Sequence, residues 1–310
     1  MLPRIAYLGS FENSWDTESY IARALERAEC KVFRIEESRS SARSVIEACC
    51  DECVDLLLMA KARFGGQWDP SCDTLRAVAA ELRERRKGMK IACWVFDLLS
   101  KEFNPERYQW AVNIDRIVDK FFLTDGYTAA DLERAHVLRQ ACPDDVRTGR
   151  SRAEWRKDVL WLGGRYRYRD WAVERLSRYY KDRFLHVPEG VRGPALCDLM
   201  ASVKVVVGPA WPQAPMYFSN RLYVVTGCGG FFLCPTVMGM YSEGWRAGVN
   251  YAHYDGDEDL IDTLDMWLQD IMEPDREEIA AAGTAHCRTN CTYDVRVREL
   301  LTTLGMGDYE

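Results

Sequence analysis

The sequence predicts an α/β protein made of two successive parallel-sheet halves, and three observations carry that prediction. Short apolar runs alternate with amphipathic stretches, the pattern of buried strands joined by crossover helices. The alternation stops over residues 141–157 and then restarts. The 310 residues also divide into about two domains of ordinary size.

In the first half, residues 4–8 read as a strand, 18–29 as a helix, 31–35 as a strand and 42–53 as a helix. Residues 54–59 form a nearly continuous apolar run, as a strand buried on both faces should. A helix over 73–87 stops at Gly88, and strands follow at 90–96 and 120–124. Residues 141–157 hold turn formers and charges, which read as a linker with the domain boundary near 143–157. The second half restarts with strands at 158–163, 184–187, 204–207, 230–234 and 250–254. Its helices are expected at 171–180, 220–227, 259–271 and 275–287, the last opened by a capping box of Asp275 and Glu278. The expected organisation is an N-terminal Rossmann-like domain over 1–145, a second over 155–285, and a C-terminal helix in 286–310 that packs back on the first.

Composition bounds the function. With 47% hydrophobic and 29% charged residues the chain can bury a core, which excludes disorder and fibrous repeats. The balance of 41 basic minus 48 acidic residues, a net charge of -7, disfavours a mainly electrostatic nucleic-acid binder. The N-terminus lacks the apolar core of a signal peptide, and no run approaches the ~18 apolar residues of a membrane span. A cytoplasmic protein without a membrane span is expected. The twelve cysteines are dispersed, with one Cys-x-x-Cys at Cys50 and Cys53 and no second pair at zinc-ligand spacing. They read as reduced thiols, mostly buried, and no metal site is expected.

Ligands of doubly wound sheets bind beyond the carboxyl ends of strands, so the loops there are the places to search. Residues 9–16 follow the first strand as an acceptor-side loop carrying Gly9, Ser10 and Trp15; a single glycine argues against a dinucleotide fingerprint. Residues 162–169 read Leu-Gly-Gly-Arg-Tyr-Arg-Tyr-Arg. Gly163 and Gly164 let the backbone approach a ligand, and Arg165, Arg167 and Arg169 suit a diphosphate or, with the tyrosines, a nucleic acid. Asp97 and Asp125 stand at strand ends of the first half, placed by position to touch an acceptor hydroxyl. Residues 255–259 (Asp-Gly-Asp-Glu-Asp) mimic a metal loop but lack its later ligands, and they read instead as acids before a helix. The loop 209–219, with three prolines and three aromatics, suits either sugar stacking or a closed core edge.

Residues 221–235, Arg-Leu-Tyr-Val-Val-Thr-Gly-Cys-Gly-Gly-Phe-Phe-Leu-Cys-Pro, resemble the donor-domain motif of the glycosyltransferases related to the spore maturation protein CgeB, a GT-B group allied to family 4 glycosyltransferases. Residues 250–260 and the segments 276–283 and 291–296 resemble the same group's later elements. The resemblance is good over about 158–300 and loose before that. It implies two Rossmann-like domains facing a cleft, with a nucleotide-sugar on the second and an acceptor on the first. It also implies metal-independent, retaining transfer from a nucleotide diphosphate sugar, most plausibly a UDP-sugar, with no further cofactor. On that resemblance Gly163, Gly164 and Arg165 approach the diphosphate, Arg169 adds a second charge, Gly229 and Gly230 lie close to the donor, and His186 to Glu189 flank the base. Where relatives carry a ribose-binding glutamate this chain has Val224, so Asn220 and Arg221, one helical turn earlier, are expected to substitute. The acceptor is open among a protein, a glycan and a hydroxylated base in DNA, the last kept by the arginines between Arg147 and Arg169. A non-catalytic nucleotide-sugar-binding protein is the alternative that Val224 motivates.

Overall fold

The computed structural model describes residues 2–164, 170–188, 190–208 and 214–307. The chain divides into two compact units: unit 1 is Met1–Gln140 with Tyr293–Glu310, and unit 2 is Ala141–Thr292.

Unit 1 opens with β1 (Arg4–Gly9), α1 (Thr17–Arg27), β2 (Lys31–Glu36), α2 (Ala42–Asp51) and β3 (Leu56–Met59). It continues with α3 (Asp73–Arg85), β4 (Lys90–Val95), α4 (Pro105–Asp115), β5 (Lys120–Leu123), α5 (Gly126–Ala129) and β6 (Ala135–Val137). The six strands pair in parallel in the order β2-β1-β3-β4-β5-β6. All four residues of β3 are buried, because helices cover both faces of a parallel sheet. One face packs Ala6, Leu8, Leu57 and Met59 against Val45 and Cys49 of α2 and Val78 and Leu82 of α3.

Three of these elements, α4, α5 and β6, lie beyond those expected from periodicity. For α4 the signal is chemical: Asn104 caps it by accepting from the Arg107 amide at 3.2 Å, and Pro105 follows where a helix needs no amide donor.

Unit 2 contains β7 (Lys157–Leu162), α6 (Asp170–Tyr180), β8 (Phe184–Val187), α7 (Pro194–Met200), β9 (Val203–Val207) and α8 (Asn220–Gly227). After them come β10 (Phe232–Cys234), β11 (Ala252–His253), α9 (Gly256–Trp267) and α10 (Glu273–Asn290). Its strands are parallel in the order β11-β10-β9-β7-β8. Leu160, Val206 and Phe232 face one core with Leu222 and Val225 of α8, while Val159, Trp161, Val205, Val207 and Leu233 face the other with Leu176 and Leu264.

Some expectations are corrected here. The stretch read as a linker is laid against unit 2: the Arg150 and Arg152 amides donate to Asp198 Oδ1 and Ser202 Oγ, and a Cβ on Gly149 would stand 1.9 Å from the Cys197 carbonyl oxygen. The capping box of Asp275 and Glu278 does not form, because α10 begins earlier, at Glu273, and carries Pro274 in its first turn. Likewise α9 starts at Gly256, placing Asp257, Glu258 and Asp259 inside its first turn, where they meet the positive end of the helix dipole. After α10 the chain returns to unit 1 as α11 (Tyr293–Thr303). There Tyr293 stacks on Tyr20 of α1 at 5.9 Å and Asp294 pairs with Arg27 at 2.7 Å.

Candidate functional site

In unit 2 the strand order reverses between β7 and β9, and ligands of doubly wound sheets collect beyond the carboxyl ends beside that point. β7 ends there at Leu162 and runs into Gly163, whose φ of +111° is open to glycine and strained for other residues. The Gly163 amide donates to the Val187 carbonyl at 2.7 Å, and its own carbonyl oxygen lies 3.1 Å from His186 Nε2. Arg221 lies directly over this backbone. A Cβ on Gly163 would stand 1.8 Å from Arg221 Nη2, so the guanidinium occupies the space that the glycine leaves. Arg221 Nε donates to the Leu162 carbonyl, and Nη1 to Ser219 Oγ at 3.4 Å. Ser219 also caps α8, accepting from the Arg221 amide. A bare glycine backbone, a guanidinium and the positive end of α8 thus meet at one strand end, an arrangement suited to an anion.

The predicted residues divide around this centre. Gly163, His186 and Arg221 are brought together, with Gly164 next in the chain and Asn220 opening α8, its Oδ1 buried without a hydrogen-bond partner. His186 also lines a surface groove of about 490 Å³ with Val173, Glu174 and Arg178 of α6. Arg165, Arg169 and Glu189 lie outside the described residues. Val224 is half-buried and packs into the core beneath α8. Gly229 and Gly230 are elsewhere. The Gly230 amide donates to the Val225 carbonyl at 2.9 Å and the Gly229 amide to that of Thr226 at 3.0 Å, with φ +89° at Gly229. This is a Schellman stop at the far end of α8, so their chemistry is helix termination, not contact with a ligand beside Gly163.

His253 ends β11. Its Nδ1 accepts from the Thr236 amide at 3.2 Å, which puts the proton on Nε2, 2.9 Å from Asp255 Oδ1. The arginines suspected of holding nucleic acid are partly committed as well. Arg147 and Arg152 pair with buried Asp198 at 2.6 and 2.5 Å. The Arg150 amide, these guanidiniums and their charge hold the Asp198 carboxyl well below its usual range, at about 2.

Unit 1 reverses its strand order between β1 and β3. Gly9 ends β1, and a Cβ there would meet Glu18 Cγ at 2.8 Å. Ser10 follows, and Trp15 is exposed further along the same loop. Glu18 of α1 and Glu37, just past β2, are both buried, and Lys61, just past β3, brings its Nζ to 3.3 Å from Glu18 and 3.8 Å from Glu37. Burial pushes both carboxyls above their ordinary range, against the pull of Lys61. Sequence reading missed all three residues, since β1, β2 and β3 bring them together from distant positions.

Of the two aspartates expected to act on an acceptor, Asp125 is corrected. It is fully buried and caps α5: Oδ1 accepts from the Tyr127 and Thr128 amides, and Oδ2 from Thr128 Oγ1 at 2.7 Å and the Leu99 amide at 3.1 Å. Its oxygens are engaged in holding the loop ends of β4 and β5. Asp97 is exposed and pairs with Arg107 at 3.1 Å.

Two doubly wound α/β units, the second with a glycine and a guanidinium at its switch point, define a protein of the GT-B glycosyltransferase fold. Residues 151–302 match the family described as Glycosyl transferase-like. The fold is similar to that of Alr3699/HepE from Anabaena, solved in complex with UDP and glucose, at 12% identity and a TM-score of 0.67, covering 98% of this chain and 99% of that one. Sucrose-phosphate synthase from Thermosynechococcus elongatus is similar at 10% identity and a TM-score of 0.68, covering 98% of each chain. A glycosyltransferase from Rickettsia africae ESF-5 is similar at 9% identity and a TM-score of 0.65, covering 100% of both. No curated protein matches the chain. Among the described residues no helix is long and apolar enough to cross a membrane.

Proposed function

We propose that this protein transfers a glycosyl group from a nucleotide diphosphate sugar, a UDP-sugar, to an acceptor hydroxyl in the cytoplasm, without a metal and with retention of anomeric configuration, as a member of the CgeB-like group. The observation that carries the donor assignment is the apposition of Arg221 on Gly163 at the carboxyl end of β7. Alr3699/HepE, which shares the fold, was solved with UDP and with UDP-glucose, and that supports the choice of nucleotide.

The chemistry follows from charge. When the glycosyl bond breaks, negative charge grows on the departing diphosphate. Donors already aimed at that place lower the barrier because they do not reorganise during the step. Arg221 and the start of α8 are such donors, and the missing Cβ of Gly163 is what lets the guanidinium lie at this strand end. Asn220 takes a ribose hydroxyl where Val224 offers none, a reading supported by its buried Oδ1 without a hydrogen-bond partner. The acceptor is a protein, a glycan or a hydroxylated base in DNA. The reading is tested by incubating the protein with a panel of nucleotide-sugars and candidate acceptors and following UDP release and acceptor mass. Release of UDP with a mass gain on one acceptor supports it. Absence of turnover and of any thermal shift with UDP would remove it, whereas a UDP shift without sugar release under any acceptor favours a non-catalytic nucleotide-sugar-binding protein, the reading that Val224 motivates.

A further inference from the structure

Residues 146–152 of unit 2 have no helix or strand of their own and lie as a strap over α7. Side chains beneath them meet their amides: Arg147 N donates to Cys197 Sγ at 3.5 Å, Arg150 N to Asp198 Oδ1 at 3.0 Å and Arg152 N to Ser202 Oγ at 2.8 Å. Cys197 is fully buried under this strap, while Thr148, Arg150 and Arg152 are exposed on top of it. The fastening is local. Asp198 alone takes the Arg150 amide and the ion pairs of Arg147 and Arg152, so a few contacts at one carboxylate hold the cover, and no sheet ladder has to break when it lifts. A groove of about 510 Å³ lined by Arg147, Thr148, Arg150, Arg152 and Asp198 brings solvent to the residue beside Cys197.

Cys197 has a second thiol as its neighbour. Cys228 ends α8, is buried, and shares a hydrogen bond with the Cys197 sulfur. α7 and this turn pack closely, since a Cβ on Gly230 would stand 3.0 Å from Met200 Sδ. Arg288 is anchored at the same place, its Nε donating to the Gly227 carbonyl at 2.9 Å and its Nη2 to that of Arg147 at 3.2 Å. The bond from Cys228, the Arg147 amide and the charges of Arg147 and Arg288 hold the Cys197 thiol down at about 6, against its burial, and the same bond pushes Cys228 up. Cys49, Cys72, Cys93 and Cys234 are instead pushed up by burial. A thiolate beside a protonated thiol is the arrangement that thiol–disulfide exchange uses.

We propose that Cys197 and Cys228 form a redox-modification site, covered by the 146–152 strap and converted to a disulfide by a low-molecular-weight disulfide when the strap lifts. The Cys197 thiolate attacks one sulfur of the small disulfide, forming a mixed disulfide and expelling one small thiolate. Cys228 gives its proton to that thiolate and attacks Cys197 Sγ, which breaks the mixed bond and expels the second small thiolate. The two cysteines lose two electrons, and the small disulfide gains them as it separates into its two halves. This site is independent of the transferase reading.

The test is treatment of the reduced full chain with millimolar oxidised glutathione at pH 7, alkylation of the remaining thiols, and mass mapping of peptides without reduction. A peptide pair joined through Cys197 and Cys228 should form first, with Cys49, Cys72, Cys93 and Cys234 still alkylated. Asp198→Asn, which loosens the strap and keeps both thiols, should speed the cross-link about tenfold, the effect of losing a charge-assisted contact on the opening equilibrium. Arg152→Ala, a milder change at the surface, should speed it by a smaller factor, and Cys228→Ser should stop at a glutathione adduct on Cys197. A wild-type chain in which Cys197 stays unmodified while other buried cysteines react would overturn the proposal. So would a cross-link rate unchanged in Arg152→Ala and Asp198→Asn, or a Cys197 bond to another cysteine.

Discussion

The carboxyl end of β7 in unit 2 and that of β1 in unit 1 occupy equivalent places, each beside the reversal of its strand order. They are furnished differently. At β7 a positive-φ glycine leaves space that a guanidinium fills. At β1 a glycine makes room for a buried glutamate, and a second glutamate and a lysine complete the cluster. One parallel-sheet design thus carries a guanidinium over a glycine in one unit and a lysine between two buried carboxylates in the other. The difference lies in the few residues past each strand end.

Breaking the unit 2 site should have the largest effect. Gly163→Ala forces a Cβ into the Arg221 guanidinium and strains a left-handed backbone, so UDP affinity measured by calorimetry should fall by about 3 kcal/mol. Arg221→Ala removes the cation and keeps the glycine, with an expected loss of about 2 kcal/mol in the same measurement. In unit 1, Asp125→Ala should cost about 1–2 kcal/mol of stability in urea unfolding and leave UDP affinity unchanged, because that carboxylate is a cap. Impaired UDP binding in Asp125→Ala would contradict the division between the units.

Acidity gives a smaller contrast of opposite sign. Glu18 and Glu37 are held above the ordinary carboxyl value of 4.5, so the folded state binds their protons more tightly than the unfolded chain does. That favourable difference is complete below 4.5 and is lost as pH rises through the raised values. Asp198 is lowered from 3.8 to about 2, so its contribution is present above 3.8 and lost as pH falls through about 2. Hydrogen exchange across acid pH should show unit 1 protection falling as pH climbs above 4.5, after correction for intrinsic rates, and Glu18→Gln should flatten that trend.

Most strands are readable because each is a short apolar run; Gly163 is legible as a residue that follows a strand end, whereas His186 and Arg221 enter through the family resemblance. Their contact is not legible, since it depends on α8 returning its first turn to the end of β7. Gly229 and Gly230 show the opposite limit: a glycine pair reads alike whether it stops a helix or admits a ligand, and the Schellman bonds decide. Asp125 sits before Gly126, Tyr127 and Thr128, an N-cap signature that its strand-end position masked. Glu18, Glu37 and Lys61 follow three different strands, and only the β2-β1-β3 pairing makes them neighbours.

The donor is proposed to bind at the switch point of unit 2. Hydrogen exchange measured with and without UDP tests it most directly. Slowed exchange is expected at the Gly163–Gly164 backbone and at the start of α8, with the segments around Gly9, Glu37 and Lys61 unchanged. Protection confined to those unit 1 segments, or absent from both sites at saturating UDP, would contradict it.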